Sequence, residues 1–216
     1  SGPSINKLNI DSQFLKNKDL IGCNFIHKNN KFKSKDFRFY SLIDIDYSKS
    51  INKNYFKRLN CKNILITTKN AYSFNIQTLL RRDIKVVKTK VFNLQQHYKY
   101  DDLSINNFFL TGNSVPFLMQ IAAFLGKYKT IYLFGVDHFD ATDLQNLEDM
   151  NFSDYEGRNV KKLSINKEKL SYINNLYKLM KKLLSNKGIK IINLTPNSKL
   201  KYFKSVIVDD LITENI

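Results

Sequence analysis

One stretch, Thr111 to Asp140, constrains this chain more than any other: TGNSVPFLMQIAAFLGKYKTIYLFGVDHFD. It reads as a loop, a helix, a tight turn, a buried strand and a polar loop. Thr111, Gly112, Asn113 and Ser114 form the opening loop. Pro116 suits the first turn of a helix, where a missing N–H costs nothing. Phe117, Leu118, Ile121, Ala122, Phe124 and Leu125 are apolar at helical spacing, and Gly126 is placed to end the helix in a left-handed conformation. Thr130 to Phe134, TIYLF, is β-branched and aromatic, which predicts a strand buried on both faces. Gly135, Asp137 and His138 follow at its carboxyl end. Open α/β sheets bind ligands at such ends, so these residues form a candidate site.

The remaining elements alternate in the same way. Leu20 to Phe25, Phe37 to Ile45, Asn63 to Thr67, Ile84 to Val91 and Ile189 to Leu194 read as strands. Helices are expected at Ser50 to Leu59 and Phe74 to Arg82, and a short one capped by Asp11 runs to Lys16. Lys167 to Asn186 is amphipathic: Leu170, Ile173, Leu176, Tyr177, Met180 and Leu184 share one face, and Gly188 ends it. Val206 to Val208 is an edge strand or a docking segment. The alternation predicts an α/β chain, a Rossmann-like mostly parallel sheet with helices on both faces. At 216 residues it is expected to form a single domain, 1–216. The stretch 141–164 lacks periodicity and is long for a connection, which predicts a lid loop.

The opening Ser1-Gly2-Pro3-Ser4 reads as a turn with exposed backbone N–H groups. A phosphate-binding loop normally follows a strand, so the chain is expected to enter inside a motif, lacking its first strand. The remnant of a trimmed tag is the alternative. Asp44 and Asp46 lie two apart, so in extended chain both carboxylates point the same way, as a strand-end turn or a cation-bound diphosphate would use them.

Hydrophobic content of 43% and charged content of 25% are those of a globular protein. The net charge of +16 comes from lysines dispersed along the chain, without a zinc-finger, RNA-recognition or helix-turn-helix signature. Nucleic acid is therefore not expected as a partner. Lys178 to Lys187 concentrate charge on one helix, either a solvated face or a peripheral membrane contact. Cys23 and Cys61 have no CxxC or histidine neighbour and are expected to be buried free thiols, which fits a cytoplasmic setting. His27 and His97 lack comparable context and are expected at the surface.

Several separated pieces together resemble a known superfamily. Ser1-Gly2-Pro3-Ser4-Ile5 resembles the end of a G-[SN]-G-P-S-L phosphate loop. Leu20 to Asn24 resembles that family's second strand, and Ile131 to Asp137 its IYLxGxD ending. Gly188 to Phe203 resembles its closing strand and Thr-Pro turn. The set is similar to the bacterial α-2,3/2,8-sialyltransferases and to related Rossmann proteins like 6-hydroxymethylpterin pyrophosphokinase, linked to surface-glycan synthesis. The resemblance implies a nucleotide crevice lined by Gly2, Pro3, Ser4, Asn24, Thr111, Gly112, Asn113, Ser114 and Gly135. It implies a sugar-nucleotide donor of the CMP-sialic acid type, a glycan acceptor and no required metal. From the thiols and the basic helix, the expected location is cytoplasmic, peripheral to the inner membrane if that helix docks there.

Two departures alter the mechanism. Phe139 stands where the sialyltransferases have a tyrosine, and Arg158 where their loop histidine would fall. An arginine stays protonated and cannot act as a base. The Gly-Val-Asp-His run is more similar to the uncharacterised branch, which leaves Asp137 and His138 as the acid–base candidates. Asp44, Tyr155 and Arg158 become candidate phosphate or acceptor contacts. The competing reaction is diphosphate transfer from ATP to a pterin alcohol, with Mg²⁺ held by Asp44, Asp46 and Asp137. A non-catalytic basic binding domain is the third reading.

Overall fold

The structure is a computed structural model describing residues 3–23, 26, 29–32, 35–42, 59–61, 63–67, 85–89, 91–93, 108–110, 113–138 and 167–212. The expected helices at 50–59 and 74–82, and the lid at 141–164, fall essentially outside them. The architecture is mixed α/β and its sheets are parallel. Nine strands are described: β1 Leu20–Cys23, β2 Phe37–Leu42, β3 Asn63–Thr67, β4 Lys85–Thr89, β5 Val91–Asn93, β6 Phe108–Leu110, β7 Thr130–Leu133, β8 Lys190–Asn193 and β9 Lys204–Ser205. Among the described residues, two α-helices are α1 Ser114–Gln120 and α2 Lys167–Asn186. No helix among the described residues is long and apolar enough to cross a membrane.

The chain divides into two compact units. Residues 19–127 form one of them. Its four-stranded sheet runs β1-β2-β3-β4 in sequence order, every neighbour parallel. Parallel neighbours require a crossover between them. β5 and β6 make a second parallel pair. The core gathers Phe32, Phe37, Phe39, Tyr40, Leu59, Phe117, Met119 and Ile121. Phe37 sits between Phe32, stacked at 6.3 Å, and Tyr40, edge-on at 5.1 Å. Gly22 leaves room for this packing: a Cβ there would stand 2.7 Å from the Phe37 ring and 2.9 Å from Ile26.

α1 packs on β1 and β6. Asn113 caps it, its Oδ1 accepting from the Val115 N–H at 3.1 Å. The helix then widens into a π-helical turn, Ile121–Leu125, which ends when the Gly126 N–H reaches the Ile121 carbonyl. The expected left-handed glycine is thereby corrected. Gly126 is right-handed at φ −78, and Lys127 takes the left-handed position at φ 54. The extra residue of the wide turn moves the reversal one position along the chain.

Residues 1–18 and 128–216 form the other unit. Its sheet runs β7-β8-β9, all parallel. α2 covers it with Leu170, Leu176, Tyr177, Met180, Leu183 and Leu184, against a core that includes Ile131, Leu133, Ile189, Leu194 and Phe203. Gly188 closes α2 at φ 71, as its sequence position predicts. β7 is not buried on both faces: Tyr132 is 38% exposed. Phe14 meets that ring edge-on at 5.1 Å, and Lys18 Nζ lies over both rings. Val206 to Val208 is not a strand; the short β9 precedes it, and Val206 N–H donates to the Asn193 carbonyl.

Leu8 and Asn9 meet Leu211 and Ile212 in this unit. Leu8 and Ile212 form an antiparallel bridge, and the Asn9 N–H donates to the Leu211 carbonyl at 2.8 Å. Asp210 accepts from the Phe14 N–H at 3.2 Å. These bonds fix the 3-10 turn Pro3–Lys7 beside the strands that come last. The short helix expected from Asp11 to Lys16 forms only turns.

Candidate active site at the Gly-Val-Asp-His corner

β7 ends at Leu133, and the chain turns sharply through Gly135 to His138. Gly135 has φ 72 and His138 has φ 57, so two of four residues are left-handed. A glycine adopts that conformation freely, whereas a histidine there is uncommon and must be held by its surroundings. Non-glycine residues in this region concentrate at functional sites.

The holding contacts come from the turn after β8. The Val136 N–H donates to Thr195 Oγ1 at 3.0 Å, and Ser198 Oγ donates to the Val136 carbonyl at 2.5 Å. The Lys199 N–H donates to the Asp137 carbonyl at 3.0 Å. Asn193, fully buried at the tip of β8, orients that turn by accepting the Thr195 N–H at 3.1 Å. The Thr-Pro-Asn-Ser turn thus serves as the bed of the corner. Every backbone bond it makes removes one way for Asp137 and His138 to move.

The Asp137 carboxylate faces the opposite end of the chain. Its Oδ2 accepts from Ser4 Oγ at 2.9 Å, and its Oδ1 from the Ser4 N–H at 3.4 Å. At Ser4, the opening turn's N–H is therefore not exposed. Ser4 is 6% exposed and its N–H is committed to a carboxylate. Burial pushes the Asp137 carboxyl above the usual carboxylate range, and the two Ser4 bonds pull part of the way back. A carboxylate with a raised pKa is a stronger base once ionised.

His138 is held by α2. Its Nε2 lies 2.7 Å from Asn174 Oδ1, and its ring meets Tyr177 edge-on at 5.4 Å. An amide oxygen only accepts, so with Asn174 Oδ1 facing it Nε2 carries a hydrogen, as it does in the Nε2–H tautomer and in the imidazolium. Tyr177 is in turn packed by Tyr202 and Phe203.

In the 19–127 unit, the Asn113-Ser114 loop meets the carboxyl end of β1. Ser114 hydrogen-bonds the Cys23 thiol, the last residue of that strand. Cys23 is paired in register with Ser41, a buried residue whose hydroxyl lacks a protein partner among the described residues. Both cysteines are free; Cys61 is buried as expected, whereas Cys23 is half-buried. Burial raises both thiols, that of Cys61 to about 12.

Of the residues singled out in the sequence, Ser4 and Asp137 are brought into direct contact. Pro3 begins the same 3-10 turn, and Gly135 and His138 flank Asp137 in the corner. Asn113 and Ser114 cap and start α1. Gly2, Asn24, Asp44, Asp46, Thr111, Gly112, Tyr155 and Arg158 lie outside the described residues. Sequence reasoning missed Asn174, Thr195 and Ser198. Asn174 carried a weak signal, a polar residue beside the apolar face of α2. The Thr-Pro-Asn-Ser turn was visible, but its register with Val136 was not.

Compared with protein-family profiles, with curated proteins and with solved structures, the chain matches none.

Proposed function

We propose that this chain is a glycosyltransferase-like enzyme with a Rossmann-like nucleotide-binding arrangement, using a nucleotide-activated sugar of the CMP-sialic acid type in bacterial surface-polysaccharide synthesis. The observation that carries the reading is the Ser4–Asp137 pair. The one described polar side chain of the Gly-Pro-Ser turn is bonded to the acidic residue at the tip of β7. A donor phosphate approaching that turn would thus lie beside the group that activates the acceptor.

Transfer requires a base for the acceptor hydroxyl and charge stabilisation at the leaving phosphate. Two bases stand at the corner. Asp137 is a carboxylate whose proton affinity is raised by burial. His138 is an imidazole held through Nε2 by Asn174 Oδ1 at 2.7 Å. The acceptor proton passes to one of them as the acceptor oxygen forms its bond to the anomeric carbon. The bond from that carbon to the phosphate breaks, and the nucleotide leaves with the electron pair. The Thr195 and Ser198 hydroxyls and the Lys199 N–H, all bonded to the corner's backbone, keep it from moving during the step.

The pyrophosphokinase reading gains no specific support, since Asp44 and Asp46, which would share Mg²⁺ with Asp137, lie outside the described residues. The test is turnover of CMP-activated and other nucleotide-activated sugars by the wild type and by His138→Ala and Asp137→Asn. Loss of turnover in one or both variants supports the reading, and unchanged turnover in both refutes it.

A further inference from the structure

From Lys169 to Val208 the chain carries nine lysines and no aspartate, glutamate, arginine or histidine. Forty residues without a compensating acid are unusual in a chain whose remainder holds nineteen acidic residues. The fold concentrates part of this charge. Lys178, Lys181, Lys182 and Ser185 recur at helical spacing on α2 and are exposed, opposite the buried Leu176, Tyr177, Met180 and Leu184. Together with Tyr202 they line an open groove of about 390 Å³. Lys178 Nζ stands 5.9 Å from the centre of the Tyr202 ring.

We propose that this groove is the docking surface for an anionic lipid bilayer. Three features favour a bilayer over a nucleic acid. The cations are all lysines, point charges suited to a diffuse headgroup layer, with none of the forked arginines that grip phosphodiesters bidentately. The groove's aromatic wall is a tyrosine, a ring with a polar tip that partitions to the membrane interface. Ile207, 69% exposed, is a large apolar side chain in the same acid-free stretch, three positions after Lys204 and two before the exposed Asp209. Charge plus an apolar contact is the pairing that gives peripheral attachment. Tyr202 stacks on Tyr177, the ring that also abuts His138, so the docking face and the Asp-His corner lie against the same aromatic side chain. The inference stands on the groove alone and holds whether or not the corner transfers sugars.

The experiment is co-sedimentation of the full chain with vesicles of phosphatidylcholine alone and of an equal phosphatidylcholine–phosphatidylglycerol mixture. The wild type is expected to bind the mixed vesicles only, and less as salt rises. Each lysine removed from the surface weakens binding about fivefold, so Lys178→Gln/Lys181→Gln/Lys182→Gln together weaken it on the order of a hundredfold. A control with the same charge change elsewhere, Lys16→Gln/Lys127→Gln/Lys129→Gln, is expected to bind like the wild type. Circular dichroism establishes that both variants fold. No binding of the wild type to mixed vesicles overturns the proposal, as does equal weakening of the two triple variants. Loss of binding to a short DNA duplex in the groove variant, with vesicle binding unchanged, overturns it in favour of nucleic acid.

Discussion

Ser4 Oγ donates to Asp137 Oδ2 across 2.9 Å, although 133 positions separate the two residues in the chain. The bond exists because the Leu8–Ile212 bridge and the Asn9–Leu211 contact return the opening turn to the late strands. It also opposes the burial that makes the Asp137 carboxylate costly to ionise. Ser4→Ala removes one of the two bonds that favour the ionised form. The Asp137 pKa is then expected to rise further, followed by the side-chain carboxyl ¹³C shift against pH.

The raised pKa fixes the sign of a stability effect. A carboxyl that holds its proton more tightly in the folded than in the unfolded state adds stability while protonated, below the ordinary value of 3.8. That contribution is lost as pH climbs through the folded value. Asp137→Asn cannot ionise and keeps an acceptor for Ser4. Its thermal midpoint relative to the wild type is expected to increase as pH is raised from below 3.8 toward neutrality. A difference that is constant or shrinks over that range contradicts the assignment.

Asn174 is expected to act through His138. Asn174→Leu removes the acceptor at Nε2, so the ring samples both neutral tautomers and its ¹⁵N shifts move toward one another. Asn174→Asp retains an oxygen acceptor and should keep the Nε2–H form. If His138 is the base, Asn174→Leu lowers kcat about tenfold or more while KM changes little, a fraction of the 10²–10⁴ that a general base contributes. The tautomer readout needs no substrate and stands apart from the identity of the reaction.

The thiols should be silent in the folded protein. With Cys61 at about 12, its thiolate fraction at pH 8 is on the order of 10⁻⁴, and Cys23 is shifted the same way. Disulfide-exchange reagents are expected to label neither cysteine until denaturant is added. Rapid labelling of one of them under native conditions contradicts this burial.

Two glycines should fail for different reasons. Gly188→Ala meets nothing within 4 Å and pays only for its left-handed φ of 71, about 1 kcal/mol. Gly22→Ala drives a methyl group into the Phe37 ring and Ile26, an overpacking that costs about 1–3 kcal/mol. Urea unfolding separates the two, and the Gly22 variant should be the less stable.

The sequence was most legible where one period ran long. α2 was readable from Lys167 to Asn186 because its apolar stripe repeats over twenty residues and a glycine follows it. β3 was readable at Asn63–Thr67 for its β-branched run, and the single expected strand at 84–91 is divided into β4 and β5. β6, three residues long, carries too little pattern to stand out. The π-helical turn before Gly126 was hidden because its apolar residues fit an α-helix equally well. The exposure of Tyr132 is not legible in TIYLF because a strand's neighbours are not written in its own residues; Phe14, which meets that ring, lies more than a hundred positions away. In the candidate site, Asp137 and His138 stood out as polar groups closing an apolar strand. Asn174, Thr195 and Ser198 did not, because their roles depend on bonds spanning 36 to 62 positions.

The most direct measurement is calorimetric titration of the wild-type chain with CMP in the presence of a metal chelator. The account predicts saturable one-to-one binding that Ser4→Ala weakens. Heats indistinguishable from dilution, with saturable binding appearing only for ATP and Mg²⁺, would contradict it.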